Sequence, residues 1–160
     1  MKITSERFGE IETDEKELLH LPDGLIGFPQ CTRVLLLEHK PGSPFRWLQS
    51  ADQPELAFVV IDPLELVPDY PLDALRKVIF GANNSAGDLA VAAIATVPPA
   101  PAPITVNLVA PLVFDAATRK GAQIVLSDSR FRTRHILSQQ PADPKESEKN
   151  EQSREDQDSP

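Results

Sequence analysis

The sequence has one cysteine, so it cannot form an intramolecular disulfide, and the lone Cys31 beside "TRVLLL" reads as a small buried hydrophobe. No stretch approaches the roughly 18 apolar residues of a membrane-spanning helix, and "MKITSERFGEIE" has no apolar signal core. A cytosolic, soluble protein without membrane association is therefore expected. Basic residues are in the minority: 16 Lys and Arg stand against 24 Asp and Glu, for a net charge of -8. That charge repels phosphate backbones, which argues against direct nucleic-acid binding, and it steers the molecule toward basic partners.

Chemistry-bearing motifs are also scarce. His20, His39 and His135 lie far apart at the ends of apolar stretches, and no Cys/His cluster has metal-ligand spacing. There is no GxSxG, P-loop or GxGxxG. "DGLIGFP" has two glycines but no following helix start, and the Glu10/Glu12 pair reads as a solvated strand face. These readings point to a binding module with no catalytic, cofactor or metal residues. The alternatives are a small-molecule hydrolase or another ligand-binding β-barrel, and a general carbohydrate- or peptide-binding β-module.

Proline, in contrast, is abundant at 16 residues, about twice average usage. Because proline is excluded from helix interiors and central strands, a bundle of long helices is not expected. Between the breaks, "KITSERFGEIE" reads as strand, turn at Gly9, and strand. "PDGLIGFP" is a loop whose Leu25, Ile26 and Phe28 are expected to pack across a sheet. "RVLLLEH" suits a buried strand. Phe45 to Ser50 alternates, and "AFVVI", Ala57 to Ile61, is apolar on both faces like a central strand.

Pro71 to Phe80 is the best helix, with Leu72, Leu75, Val78 and Ile79 at helical spacing. Leu89 to Val97 reads as a strand, with its alanines leaving a helix open. "PPAPAP" reads as extended polyproline-like chain. Ile104 to Phe114 reads as one long strand in which Pro111 requires an edge or bulge, and Gln123 to Leu126 as the last clear strand. About nine short strands and one real helix spaced by turns imply a mostly β protein, a small antiparallel barrel or sandwich with one or two short helices. The folded domain is expected over 1–137. The stretch 138–160, with seven acidic and three basic residues and almost nothing apolar, is expected to be a disordered acidic tail.

Specific words in the chain then carry a resemblance. "FGEIE", "LPDGLIGFP", "PFRWLQSADQPELAFVVIDP", "PDY", "TVNLVAPLVF" and "GAQIVL" occur in this order. Together they resemble the FliW family of flagellar assembly factors from about Ile3 to Leu137. The resemblance implies a β-barrel-like protein without enzymatic activity. It further implies a chaperone-like factor that binds flagellin and the translational repressor CsrA, antagonising CsrA allosterically so that flagellin mRNA is translated.

Phe45, Trp47 and Leu48 are expected in the core. Gln49 and Ser50 are read as a turn clamp or as exposed polar contacts, and Asp62-Pro63 carries the same ambiguity. Asn107, mid-strand where Asn is disfavoured, is read as an edge contact or a satisfied buried amide. The candidate partner-binding set is Gln49, Ser50, Asp52, Glu55, Asp62, Tyr70 and Asn107. The basic residues from Arg119 to His135 read as a solvated face, or as a receiver for an acidic flagellin segment. A monomer is expected.

Overall fold

The computed structural model describes residues 1–81 and 87–137. The expected tail at 138–160 lies outside the described residues, as does the middle of the "GANNSAGD" loop. Strands β1 (Lys2–Ser5) and β2 (Gly9–Glu12) form an antiparallel hairpin, with Gly9 at a φ of 74° in the turn as the sequence implies. There follow β3 (Leu19–His20), β4 (Arg33–Glu38), β5 (Phe45–Ser50), β6 (Ala57–Ile61), helix α1 (Leu72–Phe80) and β7 (Leu89–Thr96). The chain then forms β8 (Thr105–Val106), β9 (Leu112–Asp115), β10 (Gly121–Gln123) and β11 (His135–Ile136).

The main sheet runs β10-β9-β7-β6-β5-β4-β3, with every ladder antiparallel. Its two borders touch at a single bridge, where the His20 N–H donates to Arg119 O at 2.8 Å. The sheet therefore curls without closing into a barrel. Arg119 sits at a φ of 62°, and its guanidinium donates to the carbonyls of Leu18 (3.2 Å) and Glu17 (2.8 Å), fastening one border to the other.

Residues directly opposite in the register share a face. One face carries Phe45, Trp47, Val59, Ile61, Ala93 and Val113 and buries them with Leu75 of α1, Tyr70, Phe131 and Leu137. The other carries Val34, Leu48, Val60, Leu112 and Phe114 under Leu21, Leu25 and Cys31 of the 21–31 loop. We call these the helix face and the loop face. Two cores explain why "AFVVI" is apolar without alternation: β6 is covered on both sides. A third small cluster packs Ile3 of the hairpin on Leu18 and Leu35.

Several expectations are corrected. The single strand from Ile104 to Phe114 is broken into β8 and β9. Val106 pairs with Ala95 and Leu112 with Ala92, so the intervening chain bulges out. Asn107 makes the bulge, its Oδ1 accepting from the N–H groups of Val109 and Ala110, each at 3.1 Å. Pro111, lacking an N–H, sits where no ladder bond is required. The strand expected over Gln123 to Leu126 is instead β10, Gly121–Gln123, and it stops at Gln123 for the same reason. Ile124 and Leu126 still donate to Pro111 O and Val109 O, at 3.0 and 2.7 Å, but against a partner that has left the ladder.

Of Leu25, Ile26 and Phe28, only Leu25 is buried; Ile26 is 63% exposed and Phe28 lies edge-to-face on Phe58 at 5.2 Å between centroids. The reciprocal backbone bonds between Leu25 and Phe28 form a tight turn that projects Ile26 outward. On α1, Val78 faces solvent while Leu75 docks. "PPAPAP" bends in a turn closed by Ala102 N–H donating to Pro99 O at 3.2 Å, so it is not uniformly extended.

Candidate partner-binding surface

The polar knot after β5 is built around Gln49, which is wholly buried. β5 points Gln49 toward the helix face beside Trp47, at the end nearest the β1–β2 turn. Its Oε1 accepts from Ser5 Oγ at 2.7 Å. Its Nε2 lies 3.1 to 3.4 Å from the carbonyls of Ser50, Leu56, Pro54 and Gln53, so two hydrogens are shared among four acceptors. Ser5 Oγ in turn accepts from the N–H groups of Arg7 and Phe8, and Ser50 Oγ accepts from those of Asp52 and Gln53. One amide thus organises two turns far apart in sequence. Gln49 and Ser50 form the turn clamp, and neither side chain reaches the surface.

Asp52 and Glu55, on the same turn, are exposed. Asp52 faces Arg33 across β4: Arg33 Nε donates to Asp52 Oδ2 at 3.2 Å, and Nη2 donates to Oδ1. That guanidinium holds the Asp52 carboxyl below the usual carboxylate range. Burial pushes the neighbouring Cys31 thiol up.

Asp62 stands at the opposite end of β6. It is exposed, and its Oδ1 accepts from Leu64 N–H at 2.9 Å, capping the 3-10 turn Pro63–Glu65. Tyr70 is buried and donates its hydroxyl to Leu108 O at 2.6 Å, next to Asn107 in the bulge. Burial drives its pKa far above that of a free tyrosine. The seven candidates therefore lie at three places: the turn after β5, the end of β6, and the bulge between β8 and β9. Asp52, Glu55 and Asp62 are exposed, Asn107 is partly buried, and Gln49, Ser50 and Tyr70 are buried.

The basic stretch from Arg119 to His135 divides similarly. Arg119 is committed to backbone carbonyls. Arg130 binds Asp128 and Asp69 and depresses the Asp128 carboxyl, while Lys120, Arg132 and Arg134 are exposed.

Sequence reasoning missed Ser5, Arg33 and Gln123. Gln123 accepts from Ile26 N–H at 2.8 Å and donates to Ala110 O at 3.0 Å, bridging the 21–31 loop to the bulge. No local pattern marks these residues, since their partners are remote in sequence. Also missed was a cleft of about 390 Å³ on the loop face, floored by Leu36, Leu48, Val60, Ala92 and Phe114.

Among the described residues no group of three His, Cys, Asp or Glu is placed to hold a metal, and no helix is long and apolar enough to cross a membrane. Fold and surface together define a small, open, antiparallel β-domain with solvent-facing carboxylates mounted on internally braced turns. The sequence profile described as FliW protein matches residues 2–137. A flagellar assembly factor FliW of Natranaerobius thermophilus is 42% identical over 139 residues, 86% of this chain and 92% of that protein. One from Treponema denticola is 38% identical over 138 residues, 86% of this chain and 93% of that protein. A crystal structure of the flagellar assembly factor FliW is similar with a TM-score of 0.72 at 32% identity, covering 87% of this chain and 98% of that one. The chain belongs to the FliW family.

Proposed function

We propose that this chain is a cytoplasmic, non-enzymatic flagellar assembly factor that binds flagellin and CsrA. In this reading it antagonises CsrA allosterically, so that flagellin mRNA is translated. The observation that carries the reading is the family match across the whole described domain, residues 2–137. The surface supports it: a net charge of -8 favours encounter with a basic RNA-binding protein and disfavours RNA itself.

Within the candidate set, Asp52, Glu55 and Asp62 are assigned the direct contacts, because they are exposed on braced turns. Gln49, Ser50, Tyr70 and Asn107 are assigned the shaping of the backbone that presents those contacts. The arrangement is that of a rigid binding surface, in which little conformational freedom remains to be lost on association.

Isothermal titration with purified CsrA, with and without an RNA hairpin, tests the reading. Allosteric antagonism is a coupling free energy shared by both ligands, so a tenfold loss of RNA affinity corresponds to about 1.4 kcal/mol and must appear as a tenfold loss of CsrA affinity when RNA is present. Binding unaltered by RNA refutes the allosteric mechanism; no binding of CsrA or flagellin refutes the assignment.

A further inference from the structure

The loop face is only partly covered by the protein itself. Leu21, Leu25 and Cys31 fill one part, packing on Val34, Leu48 and Leu112. Beyond them lies the 390 Å³ cleft, at the lower end of the roughly 300–1,000 Å³ typical of ligand-binding clefts. The sequence "LAVAAIAT" accounts for the space. The register places Ala90 and Ala92 on this face, opposite Phe114 and Leu112, where a larger side chain would fill the hollow. At the rim stand Arg46, Asp62 and Glu65. The rim thus carries two carboxylates against one guanidinium.

We propose that this cleft docks an aliphatic peptide segment of a partner protein, with one basic residue of that segment lying against Asp62 and Glu65. The part of the face already covered shows what suits it: leucines carried on a loop, with no polar side chain inserted. Ser43, also at the edge, accepts from Phe45 N–H and so is engaged locally. The floor of Leu36, Leu48, Val60 and Phe114 offers no hydrogen-bonding groups to recognise a sugar or nucleotide, and the rim charge opposes phosphate. Burial of the accessible Leu36, Ala90 and Ala92 supplies the attraction, while the carboxylates select a basic flank and set its register. The cleft lies at the Asp62 end of β6, away from the turn of Asp52 and Glu55; it shares Asp62 with the contacts proposed above, while Glu65 and the apolar floor lie outside that set.

Fluorescence anisotropy with a short labelled leucine–lysine peptide tests it on the full-length protein. Ala90→Ile fills the cleft at an exposed strand position where a β-branched residue is favoured. Glu65→Lys reverses the rim, and Glu10→Lys on the distant hairpin controls for net charge. The expected result is saturable binding that weakens about tenfold or more in Ala90→Ile and in Glu65→Lys and is unchanged in Glu10→Lys. A peptide with glutamate in place of lysine is expected to bind about tenfold less tightly. Thermal midpoints monitor folding, and Ala92→Val replaces Ala90→Ile if the latter is destabilised. No binding by the wild type, equal losses in Glu10→Lys and Glu65→Lys, or full binding by the filled, folded variant overturns the proposal.

Discussion

Ser5 and Gln49, 44 positions apart, share a 2.7 Å hydrogen bond from which solvent is excluded. The bond joins the N-terminal hairpin to the turn after β5, with Glu6 N–H donating to Pro54 O at 2.9 Å alongside it. Gln49→Leu is similar in size and removes the amide. It leaves the Ser5 hydroxyl and the turn carbonyls without their amide, at a cost of about 1–3 kcal/mol. A lower urea midpoint with an unchanged m-value is expected. Weakened partner binding at wild-type stability would instead make Gln49 a direct contact.

Tyr70 is the sole tyrosine, so its ionisation can be followed alone by tyrosinate absorbance. Its folded pKa is raised above the unfolded value near 10, so its contribution to stability is complete below pH 10 and is lost as pH rises toward the folded value. No tyrosinate signal is expected until the protein unfolds in alkali. Cys31, also raised by burial, adds to the same alkaline limb. Tyr70→Phe keeps the ring against Phe131 but strands Leu108 O. A loss of about 1–3 kcal/mol at neutral pH and a shallower alkaline limb are expected from denaturation across pH.

Asp52 tests exposed electrostatics. Its carboxyl pKa is lowered by Arg33, so the pair stabilises the fold above the unfolded carboxylate range near 3.9 and the contribution vanishes as pH falls through the depressed folded value. With the two side chains 35% and 43% exposed, solvent screening limits the effect to under about 1 kcal/mol. Asp52→Asn is expected to leave the neutral thermal midpoint nearly intact, flatten the acid limb and weaken CsrA binding in calorimetry.

Two glycines separate steric from conformational demands. A Cβ on Gly121 would overlap the backbone of Val113 and Phe114, so Gly121→Ala must push β10 off β9. Gly9, at a φ of 74°, has open space around it, so Gly9→Ala incurs only the left-handed strain of about 1–2 kcal/mol. Hydrogen exchange is expected to show lost protection across β9 and β10 in the first variant, and only a uniform decrease in the second.

The strands were legible where the pattern was local. Phe45 to Ser50, Ala57 to Ile61 and the hairpin at Gly9 all announced themselves through period and turn residues, as did the helix from Pro71. What could not be read was set by contacts remote in sequence. Asn107 looked anomalous in a strand, and it is the residue that breaks the strand, by drawing two N–H groups into its own side chain. Ile26 and Val78 are apolar, yet the turn at Leu25 and the helix phase aim them outward, whereas Phe28 packs edge-to-face on Phe58. Among the candidate contacts, Gln49 and Ser50 were open between clamp and surface, and only the distance to Ser5 resolves the choice. The cleft was invisible because it is made by what Ala90 and Ala92 leave out.

The curl of the main sheet brings β3 and β10 border to border without zipping them together. Such a seam leaves backbone groups that an open, flat sheet would offer to a neighbouring copy, yet here they face each other across a gap clasped by Arg119. At these two borders strand addition is thereby denied its template, with only two or three residues at each lip.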